Sequence, residues 1–204
     1  MEEFETRKSQ AENDEKSTYG KEAAAATEKR TAAVQQVFDW VQAIIAAVVI
    51  ALFIRTFLFT LVRVDGPSME PTLQNNNILI VTRAGYQPKA GDVIIFRPEK
   101  HPDTPYVKRI IATQGQEVDI DPATGDVFVD GVLLDEDYIK EKIHRLYDVK
   151  FPVVVPEDCV FVMGDNRNNS SDSRKTDVGM VKNDSIIGKA NVRIWPPQEW
   201  GKIH

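Results

Sequence analysis

The sequence predicts a mostly β, antiparallel domain with an inserted hairpin subdomain, preceded by one membrane-spanning helix. A single long apolar segment lies near the N-terminus, with Arg55 as the only charged residue between Asp39 and Arg63. From Val62 onward, short runs of β-prone residues alternate with Gly, Pro and Asn turn signals. The single cysteine, Cys159, cannot form an internal disulfide, so stability must come from apolar burial.

The charge balance and composition limit the possible partners. The 204 residues carry 25 Lys and Arg against 31 Asp and Glu, a formal net charge of −6. Nucleic-acid binding needs concentrated Lys and Arg for phosphate contacts, so an acidic chain without a basic cluster is not expected to bind nucleic acid. No Cys and His cluster has the spacing of zinc ligands, which excludes a structural zinc site. We expect no metal and no cofactor.

The N-terminal region is predicted to be a flexible tail over residues 1–36, followed by a transmembrane helix over residues 37–61. The tail has eight acidic and six basic side chains and cannot bury enough apolar surface to fold alone. The 23 residues between Asp39 and Arg63 would span roughly 35 Å as a helix, enough for a hydrocarbon layer of about 30 Å. The alternative is a buried core helix, but the segment is apolar on all sides rather than along one stripe.

The remaining residues, 62–204, are predicted to form a β-rich domain with residues 116–152 as an inserted subdomain. Within the insert, Thr124-Gly125 and Asp130-Gly131 are turn signals that frame a short strand, and a short polar helix is expected around Glu136–Arg145. The predicted strands are Ile78–Thr82, Asp92–Phe96, Tyr106–Thr113, Glu117–Ile120, Asp126–Asp130, Val153–Val155, Val160–Met163 and Ile186–Ile194.

Ser68 lies in the first of three segments that carry reactive side chains. It stands between Gly66-Pro67 and Met69, on a constrained backbone that can hold a hydroxyl and the neighbouring N–H groups in fixed positions. Taken alone, a proline-rich turn is the simpler interpretation.

Lys108 lies in the second segment, on a predicted strand. Alternation places Lys108 on the same face as Tyr106 and Ile110, and Arg109 on the opposite face. A lysine facing an apolar surface loses hydration, which lowers its pKa, and acting as a base near neutrality requires a pKa about 2 to 3 below the usual ~10.4. The alternative is that Lys108 extends its amine to solvent from a half-buried strand.

The third segment, Gly164–Arg174, follows an apolar strand. Eleven polar residues at this place could form an ordinary solvent loop. Their mixture of Asx, Ser and Arg can instead form a self-supporting hydrogen-bond network, with Asp172 and Arg174 as an expected pair and a serine hydroxyl available to orient an amine.

Together, the three segments resemble the type I signal peptidases, a family of membrane-bound serine proteases that use a Ser/Lys dyad. The matching residues have the family's order and spacing over roughly residues 37–197, behind a single membrane span. They are Ser68-Met69-x-Pro71-Thr72-Leu73, Gly91-Asp92-Val93-Ile94-Ile95-Phe96, Lys108-Arg109, and Gly164-Asp165-Asn166-Arg167 with Ser170 and Asp172-Ser173-Arg174.

The resemblance implies a role for each matching residue. Ser68 is expected to be the nucleophile and Lys108 its general base. Ser170 corresponds to the serine that hydrogen-bonds the lysine, and Asp172 with Arg174 to the pair that supports it. The family's oxyanion hole uses the nucleophile's own N–H and, in some members, a serine hydroxyl two positions earlier, where this chain has glycine. The oxyanion site and substrate cleft are expected at Gly66, Pro67, Met69, Ile94, Ile95 and Phe96.

The resemblance also implies a substrate and a location. The expected reaction is removal of N-terminal signal peptides from exported preproteins, by cleavage after small residues in an A-x-A-like pattern. The catalytic domain is expected outside the cytoplasm and the N-terminal tail inside it, an orientation in the cell membrane that the flanking charges leave open. The expected partners are preproteins and the lipid bilayer, and the protein is expected to act as a monomer.

Two other hypotheses remain. A self-cleaving Ser/Lys protease of the SOS-repressor type would share the dyad and a similar β core, but the membrane span, the Gly164–Arg167 loop and the lack of a DNA-binding domain count against it. A non-catalytic, membrane-tethered β module that binds secreted or surface proteins would require Ser68 or Lys108 to be dispensable.

Overall fold

The computed structural model describes residues 35–53 and 58–203, and the chain divides into two compact units between Phe53 and Ile54. The first described element is the helix α1, Gln35–Phe53. The strands are β1 Phe59–Arg63, β2 Ile78–Thr82, β3 Val93–Phe96, β4 Tyr106–Thr113, β5 Glu117–Ile120, β6 Val127–Val129, β7 Val132–Leu133, β8 Val153–Val154, β9 Cys159–Met163, β10 Val181–Lys182, β11 Ile186–Trp195 and β12 Gly201–Lys202, with short 3₁₀ turns at Asn183–Ser185 and Pro197–Glu199.

The helix α1 has 19 residues and is long and apolar enough to cross a membrane. Its apolar side chains, including Trp40 and Ile44, are exposed along its whole length. A core helix would bury at least one face, so the core-helix alternative is not supported. The predicted span was too long at its C-terminal end, because Phe59–Leu61 already belong to β1 and pair with β2. The predicted tail, except Gln35 and Gln36, lies outside the described residues.

The main sheet has eight strands. It is antiparallel, as predicted. The strand order is β1-β2-β11-β3-β4-β9-β10, and β12 pairs with β11. The ten-residue β11 pairs with β3 through its N-terminal part and with β2 through the rest, and irregularities at its register shifts let one strand serve both neighbours. This order places β4 at the middle of the sheet, between β3 and β9, so both faces of β4 are buried.

The second sheet has four strands in the order β7-β6-β5-β8 and forms the body of the insert. Asp130 and Gly131 both have positive φ, 53° and 76°, as in a two-residue hairpin turn, and they join β6 to β7 as predicted. Val118 and Ile120 of this sheet share one apolar cluster with Phe161 of the main sheet. The small sheet is therefore packed onto the large one.

The prediction of a short helix around Glu136–Arg145 is wrong, because this segment is an irregular connection. Its backbone bonds to distant parts of the chain: Ile139 forms an isolated bridge with Pro71, and Lys140 N–H donates to Asp165 O at 3.2 Å. A helix this short is marginal by itself, and here long-range contacts replace its internal hydrogen bonds.

Candidate active site

Ser68 lies in the turn that follows β1, and contacts from two sides hold its backbone. Gly66 has a φ of 89°, which favours glycine, and its N–H donates to Asn75 Oδ1 at 3.0 Å. On the other side, Asn166 N–H donates to Ser68 O at 3.1 Å and Asn166 Nδ2 donates to Pro67 O at 3.1 Å. Within the described part of the chain, no acceptor pairs with the Ser68 N–H.

Lys108 on β4 reaches the Ser68 hydroxyl. Its Nζ lies 2.8 Å from Ser68 Oγ and 2.8 Å from Val107 O, and it is 5.3 Å from the centre of the Tyr106 ring. The residue is only 4% exposed. Burial lowers the pKa of Lys108 from 10.5 to about 8, because removing an ammonium ion from water disfavours its charged form. The charges of Asp172 and Asp165 raise this pKa and that of Arg174 lowers it, but burial is the largest of these effects.

Arg109 lies on the opposite face of β4 and is paired. Its Nε and Nη2 donate to the two carboxylate oxygens of Asp165 at 2.9 and 2.7 Å, and its Nη1 donates to Gly91 O at 2.9 Å. The Thr72 hydroxyl donates to the same carboxylate. The Tyr138 ring covers the guanidinium at 4.0 Å. A bidentate pair of this kind fixes both partners, so it ties β4 to the loop after β9.

That loop carries a second buried ion pair, between Asp172 and Arg174. Arg174 Nε and Nη2 each donate to the Asp172 carboxylate at 2.8 Å, and Gly164 N–H donates to it at 3.0 Å. Burial acts to raise the pKa of Asp172, but the hydrogen bonds and charge of Arg174 and the other donors lower it overall. A Cβ at Gly164 would collide with Ser68 O and Ser170 Oγ, so glycine is required there.

Ser170 is buried beside this pair, and its hydroxyl has no hydrogen-bond partner among the described residues. Within the described residues, Lys108 Nζ makes no hydrogen bond to Ser170. The structure therefore brings Ser68, Lys108, Ser170, Asp172 and Arg174 into one region but does not join the lysine to Ser170 directly. Nor does any group of three or more His, Cys, Asp and Glu in the described ranges have the arrangement of a metal site.

A cavity of about 340 Å³ opens beside the serine and the lysine. Of the predicted cleft residues, Met69 lines it. Ile94 and Ile95 are fully buried in the core, and Phe96 lines a different cavity. The lining residues are Val62, Arg63, Val64, Asp65, Ser68, Met69, Thr104, Pro105, Tyr106, Val107, Lys108 and Ser171.

Several residues of this cavity were missed from the sequence. Within Val62–Asp65, only the start of the β pattern was singled out, and no residue was predicted to line the cleft, although the alternation in this segment is typical of a strand. Thr104 and Pro105 carry no sequence signal of a cleft, since only the fold places them opposite that edge. Gly66 and Pro67, which were predicted to line the cleft, instead support the turn behind Ser68.

An apolar helix, a β domain and a buried serine–lysine pair define the class of membrane-bound serine peptidases that use lysine as the base. The chain belongs to the signal peptidase family, peptidase S26, whose family model matches residues 37–195.

Two relatives illustrate the similarity. A probable signal peptidase I-2 from Synechocystis sp. is 39% identical over 167 residues, covering 78% of this chain and 73% of the relative. Signal peptidase I P from Bacillus subtilis subsp. natto is 35% identical over 170 residues, covering 78% of this chain and 90% of the relative. A crystal structure of a signal peptidase I from Enterococcus faecalis V583 is 30% identical, with a TM-score of 0.43 over 51% of this chain and 97% of that one.

Proposed function

We propose that Ser68 and Lys108 are the catalytic dyad of this signal peptidase, which removes N-terminal signal peptides from exported preproteins. The observation that carries the proposal is the 2.8 Å contact between Ser68 Oγ and Lys108 Nζ at a site where burial lowers the pKa of the lysine to about 8. An amine with that pKa is substantially neutral at mildly basic pH. Its lone pair can then accept a proton from the hydroxyl.

The reaction follows from this geometry. As Ser68 Oγ attacks the scissile carbonyl carbon, its proton passes to neutral Lys108 Nζ. When the tetrahedral intermediate collapses, the C–N bond breaks and the ammonium returns that proton to the leaving amine. Water then attacks the carbonyl carbon of the resulting ester as its proton passes to neutral Lys108 Nζ. When this second tetrahedral intermediate collapses, the C–O bond to Ser68 breaks and the Lys108 ammonium returns the proton to Ser68 Oγ. Ser68 is thus regenerated, and the peptide bond has been cleaved with no net change in the enzyme.

The oxyanion of the intermediate needs hydrogen-bond donors, and Ser68 N–H is the candidate. It has no acceptor among the described residues, and the turn that carries it is held by Asn75 and Asn166. Gly66 offers no side-chain donor. Loss of a single oxyanion-hole donor costs about 10² to 10³ in kcat in other serine proteases, so the free N–H matters here.

The substrate is proposed to bind as an added strand along β1. This strand is at the end of the main sheet, and Val64 extends the pairing toward the β2 side through bonds with Asn77 O and Asn76 N–H. The alternate residues Arg63 and Asp65 therefore direct their backbone groups to the free edge. An extended peptide that pairs with this edge would direct alternate side chains toward Val64 and Met69, which both line the cavity.

We also propose that the helix α1 anchors the protein in the cell membrane, with the β domain outside the cytoplasm. A helix of this length and composition, together with the family, supports a membrane-anchored protein. Signal peptides are presented to the far side of that membrane during export, so the dyad is expected there. Protease accessibility of the β domain in sealed cells and in inverted vesicles would test the orientation.

The dyad is tested with the full chain purified in detergent and a preprotein that carries an Ala-x-Ala site. We expect cleavage after the second alanine, read by mass spectrometry of both products. Ser68→Ala should abolish it, and Lys108→Met should lower kcat/KM by about 10² to 10⁴, as expected for loss of a general base. Lys182→Met is the matched control, because Lys182 is an exposed lysine that does not line the cavity beside the dyad.

The dyad assignment is wrong if Lys108→Met cleaves as fast as Lys182→Met while all variants retain the same circular dichroism spectrum. If the folded wild-type protein cleaves no such substrate but still retains a preprotein, the non-catalytic binding module becomes the better hypothesis. Self-cleavage in place of substrate cleavage would instead favour the SOS-repressor type.

A further inference from the structure

The outer rim of the cleft carries two opposite charges close to the nucleophile, Arg63 and Asp65, and they differ in their hydrogen-bond partners. Arg63 and Asp65 both line the cavity and are exposed, while the intervening Val64 is buried. The Arg63 guanidinium is held by Asn76, whose Oδ1 accepts from Nε at 3.0 Å and from Nη2 at 2.5 Å. In residues 58–203, no hydrogen bond or ion pair engages the Asp65 carboxylate.

The alternation of an extended peptide determines which of its side chains meets this carboxylate. If the small residues at −1 and −3 point toward Val64 and Met69, the residue at −2 must point outward, to the face that carries Arg63 and Asp65. A peptide that runs parallel to β1 with its scissile carbonyl at Ser68 Oγ places the residue at −2 one position back along the edge, beside Asp65.

We infer that Asp65 determines specificity at the −2 position and favours preproteins with a basic residue between the two small ones. This inference rests on the proposed function, because it assumes cleavage at the dyad. Charges paired across two strands attract when opposite and repel when alike. The interaction is exposed to solvent, so its effect on kcat/KM is expected to depend strongly on the salt concentration.

Three peptides that differ only at −2 test the inference: Ala-Lys-Ala, Ala-Gln-Ala and Ala-Glu-Ala within the same flanking sequence, cleaved by the detergent-purified full chain. Exposed charge pairs change equilibria by factors of about 1.5 to 5, so attraction of lysine and repulsion of glutamate together predict a Lys-to-Glu ratio in kcat/KM of about 2 to 25 at low salt. At 1 M NaCl, where the Debye length is about 3 Å, the ratio should approach 1.

Variants assign the effect to Asp65. Asp65→Asn should bring the ratio close to 1, and Asp65→Lys should reverse it in favour of glutamate. Glu157→Gln is the matched control, because it removes one exposed carboxylate at the opposite end of β9 from Gly164 and should leave the ratio as in the wild type. The uncharged peptide reports any general change in activity, which divides out of the ratio.

The outcomes separate this inference from the function on which it rests. Equal cleavage of all three peptides by the wild-type protein overturns the role of Asp65 and leaves the dyad intact. A lysine preference that persists in Asp65→Asn also overturns it, since another group must then be responsible. Failure to cleave any of the three peptides would contradict the proposed function itself.

Discussion

Lys108 and Arg109 are neighbours on β4 and both are almost completely buried, but the two faces of the strand treat a positive charge in opposite ways. Arg109 has the bidentate carboxylate of Asp165, the Gly91 carbonyl and the Tyr138 ring. In the described part of the chain, Lys108 has no carboxylate within ion-pair distance and contacts a hydroxyl, a carbonyl and a more distant ring. One face stabilises its cation and the other does not.

This difference in surroundings gives the two residues different roles: the Arg109 charge stabilises the fold, and Lys108 can become a neutral, reactive amine. A buried ion pair remains charged, because removing either partner would leave an isolated charge in a medium of low polarity. A buried amine without a close carboxylate loses the ammonium form more easily, and its pKa decreases. Arginine suits the first role because it stays protonated, and lysine suits the second because its pKa responds to burial.

The largest expected effect comes from removing each cation in turn and measuring the free energy of unfolding of the full chain in detergent. Arg109→Met should lower it by about 3 to 5 kcal/mol, because the buried Asp165 would lose its partner. Lys108→Met should leave it unchanged or raise it at pH 7. The pKa of Lys108 is about 8 in the folded state and 10.5 ordinarily. Burial of the ammonium therefore lowers the free energy of unfolding at pH values below 8, and this penalty disappears as the pH rises from 8 to 10.5.

The double variant Arg109→Met, Asp165→Leu is the control for this comparison. It removes both charges and should recover part of the lost stability. If Arg109→Met is no more destabilising than Lys182→Met, which breaks an exposed pair with Glu99, the Arg109 pair does not stabilise the fold as its geometry implies.

The second prediction concerns the pH dependence of activity. The base must be neutral, so kcat/KM should rise about tenfold per pH unit below the Lys108 pKa of about 8 and level off above it. At pH 7 the rate constant should be roughly a tenth of its plateau value. The measurement is kcat/KM on the uncharged Ala-Gln-Ala peptide between pH 6 and 10. A profile that is flat across pH 7 to 9 would mean that Lys108 is not the titrating base.

The smallest expected effect concerns Tyr138, which reaches from the insert to cover the Arg109 guanidinium. Tyr138→Leu should lower the free energy of unfolding by about 0.5 to 2 kcal/mol through loss of the cation–π contact. Tyr138→Phe retains the ring and is the matched control, expected to remain close to the wild type. Equal destabilisation by both substitutions would show that the hydroxyl, rather than the ring face, supports Arg109.

The predicted strands agree well with the structure because each is a local pattern of β-prone residues between turn residues. The hairpin at Asp130-Gly131 is similarly local, since both residues adopt positive φ. The helix expected around Glu136–Arg145 failed for the opposite reason. Its polar residues suit a helix, but the segment satisfies its backbone with Pro71 and Asp165, which are distant in sequence. Local propensity cannot account for such bonds.

In the site, too, the residues that belong to a local motif were predicted, and those brought together by long-range contacts were not. Ser68 and Lys108 were predicted from their motifs, and the structure places their side chains in contact. The expected cleft residues Ile94 and Ile95 are in the core, because β3 is covered on both faces. Asp65, by contrast, was not among the predicted site residues and lies on the rim of the cavity.

Composition, periodicity and short motifs are enough to predict the apolar helix, the β-rich domain, the family and the identity of the serine and lysine. The fold had to be known before Lys108 could be described as buried without a close carboxylate, Arg109 as paired, and Asp65 and Thr104 as lining the same cavity. A pKa and a cleft depend on which residues meet across strands, and local patterns do not specify those contacts. Ser68 and Lys108 are 40 positions apart in the chain, and the fold alone brings them to 2.8 Å.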